Sequence, residues 1–175
     1  MKQDLSEKAK GFVTLNEMAI KGEVAVFGSD YLYDFPFYDF MQGTVTDYVV
    51  YNRSLEGLTV SEAKDLYEYC LKSLDPKTIL LSFGDTETID EKFYQDYSEL
   101  IKKITSSYPH AKVYVMQTPN KDVQTNERIK RLVAGTTAQY VSLDPEETSL
   151  PEVFHRLSNF FRGGKISFCD AFSIC

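Results

Sequence analysis

Three short polar stretches of this chain, at residues 27–30, 52–59 and 82–87, carry side chains suited to chemistry, and each follows an apolar run. Their polar residues of interest are Ser29, Asp30, Ser54, Asp85, Thr86 and Glu87. A serine becomes a nucleophile when a base lies within hydrogen-bond reach and a third group orients that base. Converging carboxylates such as Asp30, Asp85 and Glu87 can instead bind a hard cation such as Mg²⁺. The residue types therefore indicate two kinds of site, one hydrolytic and one metal-binding.

The elements that position these stretches can be predicted from the apolar pattern. Five short runs rich in β-branched and aromatic residues are typical of strands buried on both faces, and they lie at residues 24–27, 48–51, 78–83, 113–116 and 139–143. Segments with helical periodicity separate them, which predicts a three-layer α/β/α sandwich of the flavodoxin-like type. We expect five parallel strands in the order 2-1-3-4-5. In such sheets, binding sites gather at the carboxyl ends of the strands, where all three polar stretches lie.

The helical segments complete one predicted domain over residues 1–175. Helices are expected at about residues 3–18, 61–74, 90–107, 125–133 and 150–161, according to the spacing of their apolar residues. Ser61 is the predicted N-cap of the second helix. No linker, repeat or change of composition divides the chain. The last part, about residues 164–175, is predicted to be a C-terminal extension.

Composition argues against several classes of partner. The net charge is −7, and no basic cluster is long enough to follow a phosphate backbone, which argues against nucleic acid. No apolar run approaches the length of a membrane-spanning helix, and the polar N-terminus lacks a signal-peptide core. We therefore expect a cytoplasmic protein that does not enter a membrane. Cys70, Cys169 and Cys175 lack metal-ligand spacing and are predicted to be free thiols, and no cofactor is expected.

In order and context, the three stretches resemble the consensus blocks of the SGNH, or GDSL, hydrolases. The closest similarity is to the bacterial group that looks like platelet-activating-factor acetylhydrolase. In that family the blocks read roughly Gly-Asp-Ser, Asn-Arg-Gly-x-x-Gly-x-x-Thr and Gly-x-Asn-Asp, and a late Asp-x-x-His supplies the base. The resemblance covers about residues 15–145. The residues that keep the pattern are Gly28, Asn52, Arg53, Gly57 and Gly84.

The roles that the resemblance implies fall on other residue types in this chain. The position of the serine nucleophile holds Asp30, and Ser29 before it is a displaced candidate. The two positions that donate to the oxyanion hold Ser54 and Thr86, where the family has Gly and Asn. Loss of one oxyanion donor typically costs about 100- to 1,000-fold in rate. These changes together predict little acyl transfer.

A base is also missing from its expected place, because no Asp-x-x-His follows the fifth predicted strand. His110 lies in a turn before the fourth strand, and His155 lies inside the last helix. Glu152 and His155 imitate the Asp-x-x-His spacing, which makes His155 the candidate base. The same spacing also places two residues on one face of any surface helix.

The resemblance and its departures leave several hypotheses for the function. The first is an SGNH-like protein that has lost acyl-ester hydrolysis and serves as a binding or interaction module for a small ester, another ligand or a protein partner. The second is a weak or altered serine esterase that uses Ser29 with a distant base. The third is a carboxylate-rich metal site at Asp30, Asp85 and Glu87. A nucleotide-binding function is disfavoured, because no phosphate-binding loop follows Val26.

Overall fold

The computed structural model describes residues 3–143 and 149–162, which form a five-stranded sheet with helices on both faces. Neighbouring strands are all parallel, and their order is 2-1-3-4-5, which confirms the predicted fold class. The strands are β1 (Val24–Gly28), β2 (Val50–Asn52), β3 (Thr78–Ser82), β4 (Lys112–Met116) and β5 (Gln139–Val141). The helices are α1 (Gln3–Met18), α2 (Asp30–Asp34), α3 (Phe37–Gly43), α4 (Val60–Leu71), α5 (Glu91–Ser107), α6 (Val123–Ala134) and α7 (Leu150–Phe161).

Alternate residues of the central strands enter two cores, one on each face of the sheet. Ala25 and Phe27 of β1 pack on one face with apolar residues of α1, α4, α5 and α6. Val24 and Val26 pack on the other face, where Leu80 of β3 meets residues of α2, α3 and α7. Because helices cover both faces, β1 and β3 are buried along their whole length. This double coverage explains the continuous apolar runs of the sequence.

Capping residues decide where the helices begin and therefore how the loops at the carboxyl edge run. α4 begins at Val60, because the Thr59 hydroxyl accepts the backbone N–H of Glu62 and the Glu62 carboxylate accepts the N–H of Thr59. The prediction of Ser61 as the N-cap is wrong, since Ser61 lies inside the first turn. Asp90 caps α5 by accepting a backbone N–H.

The two ends of the chain differ in what the structure describes. The leading segment forms α1, which packs on α4. The predicted extension at about residues 164–175, with Cys169 and Cys175, lies outside the described residues. Cys70 is a buried free thiol, and burial raises its pKa to about 12. Within the described ranges, no helix has both the length and the apolar character needed to cross a bilayer.

β1 and β3 approach so closely at Gly28 that a side chain does not fit there. A Cβ atom at this position would lie 2.4 Å from the backbone oxygen of Ser82 and 2.8 Å from Cδ1 of Leu32. The first clash is with a strand backbone, which cannot rotate away. Gly28 therefore allows β1 to pass directly into α2 at the edge that carries the polar residues.

We predict that Gly28→Ala destabilises the fold by about 1–3 kcal/mol, because the added methyl group must push two strands or Leu32 apart. Gly11→Ala is the matched control, since a Cβ atom at Gly11 in α1 meets nothing within 4 Å. In the control, the higher helix propensity of alanine should stabilise the protein by up to about 1 kcal/mol. Urea unfolding of both variants measures the difference. Equal midpoints would contradict the close approach at Gly28.

Candidate functional site

The carboxyl ends of β1, β2 and β3 place the candidate residues on one edge of the sheet. Three hydrogen bonds from backbone N–H groups to carboxylates join the loops that follow these strands. The accepting residues are Asp30, Asp85 and Glu87, and the donating residues are Gly57, Tyr31 and Val60. Each loop is thus bonded to both of the others. The edge is therefore a connected polar network, whereas the sequence predicted only that the three stretches lie there.

Asp30 occupies the position that matches the family's nucleophile, and it is the first residue of α2. Its Oδ1 accepts the backbone N–H of Gly57 at 2.5 Å, across the gap between the β1 and β2 loops. Gly57 has a φ of +68°, a conformation that glycine adopts without strain. The group at the nucleophile position is therefore a half-buried carboxylate that joins two loops.

Ser29, the displaced candidate, is fully buried between β1 and α2. Its backbone N–H donates to Ser82 at 3.2 Å and continues the pairing of β1 with β3. Its hydroxyl lies 2.8 Å from the hydroxyl of Thr86. Thr86 is exposed above it, so the described partner of the Ser29 hydroxyl is another hydroxyl group and not a base.

The two oxyanion positions are already engaged within the protein. The backbone N–H of Ser54 donates to Oδ1 of Asn52 at 3.0 Å, and the amide nitrogen of Asn52 donates to the carbonyl of Leu32 at 2.6 Å. The Ser54 hydroxyl is buried and has no hydrogen-bond partner among the described residues. The Thr86 hydroxyl is shared with Ser29. The backbone N–H of Ser54, which matches the family's oxyanion donor, is therefore already bonded, and the Thr86 hydroxyl is paired with that of Ser29.

The carboxylates of the β3 loop have raised pKa values because they are partly buried. Burial raises the pKa of Asp85, and the nearby Asp30 carboxylate raises it further, although the N–H of Tyr31 opposes the shift. Burial is also the main cause that raises the pKa of Glu87 to about 7. Both groups therefore hold a proton more strongly than an exposed carboxyl does.

The carboxylates that the metal-site hypothesis named are engaged by backbone donors. Asp30, Asp85 and Glu87 each accept a backbone N–H from a different loop residue. In residues 3–143 and 149–162, no group of three or more His, Cys, Asp or Glu side chains is placed to hold a metal ion. The described geometry therefore adds no support to that hypothesis.

Glu152, which imitates the Asp of the family's Asp-x-x-His in spacing, lies in the first turn of α7. Its carboxylate accepts the backbone N–H and the hydroxyl of Ser149, at 3.1 and 2.7 Å, and so completes the capping box of this helix. His155 is exposed on α7, whose buried face consists of other residues. His110 lines a cavity at the amino edge, beside Thr78, the first residue of β3. The structure therefore does not bring either histidine to Ser29.

Two cavities open at the carboxyl edge, one on each side of Asp85. The smaller has a volume of about 310 Å³ and is lined by Asp30, Tyr31, Asp34, Phe35, Asp85, Asn120 and Leu150. The larger is an open groove of about 800 Å³ between the β3 loop and the start of α6. Sequence reasoning missed Asn120 and Leu150. Asn120 has a φ of +59° directly after Pro119, a turn signal that was present in the sequence.

We predict that Asp30→Ala lowers the free energy of unfolding by about 1–2 kcal/mol, because the N–H of Gly57 then loses its acceptor. Asp30→Asn removes the charge and keeps an oxygen, so the difference between the Asn and Ala variants isolates the hydrogen bond. Asp34→Ala, at the exposed end of α2, is the matched control and should be nearly neutral. Urea unfolding provides the measurement. Equal stabilities of the Asp30→Ala and Asp30→Asn proteins would contradict a stabilising bond to Gly57.

The architecture is shared with solved hydrolase structures, although no protein-family model and no curated protein sequence matches the chain. A protein from Streptococcus pneumonia described as a platelet activating factor superposes with a TM-score of 0.73 at 12% identity, covering 90% of this chain and 93% of that one. An acylhydrolase from Bacteroides fragilis has a TM-score of 0.64 at 13% identity, covering 87% of this chain and 92% of that one. A GDSL-like lipase from Bacteroides thetaiotaomicron has a TM-score of 0.64 at 14% identity, covering 89% of this chain and 95% of that one.

These structures are similar to the chain over nearly its whole length, and at such low identity they establish the architecture and not the activity. The strand order and the parallel pairing agree with what the three motifs predicted. The chain therefore has the fold of the SGNH, or GDSL-like, hydrolases.

Proposed function

We propose that this protein binds a small acyl-bearing molecule at the carboxyl edge of its sheet and does not hydrolyse it. The observation that supports this most directly is the carboxylate of Asp30 at the nucleophile position, where it accepts the N–H of Gly57. Through this hydrogen bond the Asp30 carboxylate holds the β1 and β2 loops together. In this function the protein keeps the scaffold of the SGNH-like fold without the hydrolytic reaction.

A catalytic reading of Asp30 requires steps that the described residues do not support. Attack by its carboxylate would form a C–O bond to the acyl carbon and expel the alkoxide, which leaves a mixed anhydride. A base-activated water must then cleave that anhydride, yet the described hydrogen bonds of Ser29 and Asp30 go to Thr86 and Gly57 and not to a histidine. The oxyanion formed in both steps would also find the N–H of Ser54 already bonded to Asn52.

The smaller cavity has the size and lining expected for the proposed ligand. Tyr31, Phe35 and Leu150 contribute apolar surface to its volume of about 310 Å³. Aromatic and aliphatic walls with a few polar groups are typical of small-molecule sites. Asp30 and Asp34 make the rim negative, which disfavours a free carboxylate. We therefore infer a preference for a neutral ester over the acid that hydrolysis would release.

We predict that the purified protein hydrolyses p-nitrophenyl acetate no faster than background and that a fluorophosphonate probe leaves it unlabelled. Ser29→Ala is the matched variant, and its rate should equal that of the unchanged protein. Asp30→Ala should also leave the rate at background. Saturable turnover that Ser29→Ala abolishes would demonstrate a working serine site and overturn the proposal. Turnover lost only in Asp30→Ala would establish the carboxylate as a nucleophile and would overturn it equally.

Binding is tested separately, by titrating ethyl butyrate into ¹⁵N-labelled protein. We predict saturable shifts of the amide signals of Tyr31, Phe35 and Leu150 without release of butyrate. Leu150→Ala, which removes an apolar wall, should weaken binding several-fold. Leu15→Ala removes a leucine side chain of similar exposure, 49% against 42% for Leu150, outside the lining of the smaller cavity and should leave binding unchanged. An absence of saturable shifts at these residues would refute the binding half of the proposal.

A further inference from the structure

A cavity at the amino edge of the sheet collects positive charge, although the whole chain has a net charge of −7. It has a volume of about 350 Å³ and lies at the opposite edge from the candidate site. The residues that line it include three cations, one threonine and two aromatics, which are Lys77, Lys112, Arg162, Thr78, Tyr48 and Phe161. We propose that this amino-edge cavity binds an organic carboxylate whose apolar body is about the size of one aromatic ring. This site is separate from the one in the proposed function.

The pairing of β3 with β4 places two of these residues side by side. Thr78 and Lys112 are the first residues of the two strands and are partners in the parallel register. Side chains alternate along a strand, so Thr78 shares a face with Leu80, and Lys112 shares a face with Tyr114. Leu80 and Tyr114 both enter the core covered by α7. Thr78 and Lys112 therefore project on this same face, at the edge where the cavity opens.

The side chain of Thr78 supplies a hydrogen-bond donor inside the cavity. The residue is only 2% exposed, and its hydroxyl makes no hydrogen bond among the described residues. The hydroxyl oxygen is nevertheless not one of the buried polar atoms that are sealed from the solvent, so it is reached through the cavity that the residue lines. A threonine hydroxyl can donate to a carboxylate oxygen. Thr78 is thus a buried polar group that is open to a ligand.

Two of the cations lie near carboxylates without a short contact to them. Nζ of Lys77 is 3.7 Å from Oε1 of Glu23, and Nε of Arg162 is 3.8 Å from Oδ1 of Asp47. Both distances exceed those of a hydrogen bond. The other oxygen of Glu23 accepts the backbone N–H of Val49 at 2.8 Å, which holds this carboxylate in place. The Lys77 ammonium can therefore donate a hydrogen bond to an anion without giving up one to Glu23.

The aromatic residues supply the apolar surface of the cavity. The rings of Tyr48 and Phe161 meet edge to face with their centroids 5.6 Å apart. The Tyr48 hydroxyl is hydrogen-bonded to that of Ser158 at 2.7 Å, so its polar end is engaged within the protein. Small-molecule sites typically combine such apolar walls with a few polar groups, in volumes of roughly 300–1,000 Å³. An anion with an apolar body would contact both parts of the lining, whereas an inorganic ion would contact only the polar part.

Cations at this edge also have a purely structural explanation. Positive side chains stabilise the carboxyl ends of helices, and Arg162 directly follows α7. That explanation accounts for the charges, but it does not account for the open hydroxyl of Thr78 or for the cavity beside it. The two explanations differ in a measurable way, because only a binding site distinguishes an anion from a neutral molecule of the same shape.

Titration of benzoate into the ¹⁵N-labelled full chain tests the proposal, with benzamide as the neutral molecule of the same shape. We expect benzoate to cause saturable shifts of the amide signals of Thr78 and Lys112 in the millimolar range. Benzamide should bind at least about tenfold more weakly, because hydrogen bonds to a charged group are stronger than those to a neutral one. Inorganic phosphate, which has no apolar body, should also bind more weakly than benzoate.

Two variants connect binding to the named residues. Lys77→Met removes the charge, keeps an apolar side chain and should weaken benzoate binding several-fold. Lys130→Met is the matched control, since Lys130 has a similar side-chain exposure of 56% against 51% and pairs with Glu127 at 3.5 Å outside the cavity lining. It should leave binding unchanged. Thr78→Val keeps the shape of the buried side chain, removes its hydroxyl and should also weaken benzoate binding.

Several results would overturn the proposal. Benzoate would cause no saturable shifts at Thr78 and Lys112, benzamide or phosphate would bind as tightly as benzoate, or Lys77→Met would bind benzoate as well as Lys130→Met does. Should Thr78→Val fail to fold, the comparison of the two exposed lysines still decides. Shifts confined to Tyr31, Phe35 and Leu150 would locate benzoate at the carboxyl edge and would equally overturn it. Ethyl butyrate binding at that edge has no bearing on these results.

Discussion

The carboxyl edge of this protein depends on three carboxylates that accept backbone N–H groups across loops. Asp30 holds the β2 loop at Gly57, and Asp85 and Glu87 hold the starts of α2 and α4. A hydrogen bond that involves a charged group contributes more than a neutral one, and losing either partner leaves a partly buried group unsatisfied. The loops are thereby held in one arrangement, at the cost of placing negative charges close together. Burial is the main cause that raises the pKa values of Asp85 and Glu87, and neighbouring carboxylates raise them further.

The same bonds explain why an esterase scaffold need not be an esterase. Oxyanion catalysis requires donors that point at an empty position, whereas here the N–H of Ser54 is bonded to Asn52 and the hydroxyl of Thr86 to Ser29. Under the proposed function, these groups stabilise the loops and not a transition state.

Below the edge, the scaffold is maintained by interactions that do not depend on the site's chemistry. Arg53 is buried, with its Nε donating to Asn16 of α1 at 2.7 Å and its guanidinium lying over the ring of Phe12. This ties the leading helix to the start of the β2 loop, while Gly28 keeps β1 and β3 in close approach. Such contacts depend on the shape and packing of side chains and not on catalytic residues. The fold is therefore similar to that of the hydrolase structures although the sequences are only 12–14% identical.

The apolar runs predicted five strands buried on both faces with helices between them, and the order of the three motifs added the strand order and the edge where the polar stretches meet. The partner of each polar side chain could be read only from the folded chain. The Glu152 carboxylate accepts the hydroxyl of Ser149 at the start of α7, and the Ser29 hydroxyl is hydrogen-bonded to that of Thr86. The physical reason is that a strand or helix follows from local pattern, whereas a hydrogen bond between loops depends on ångström-scale placement by residues far apart in the chain. Asp30 and Gly57 are 27 residues apart, and no local periodicity encodes their contact.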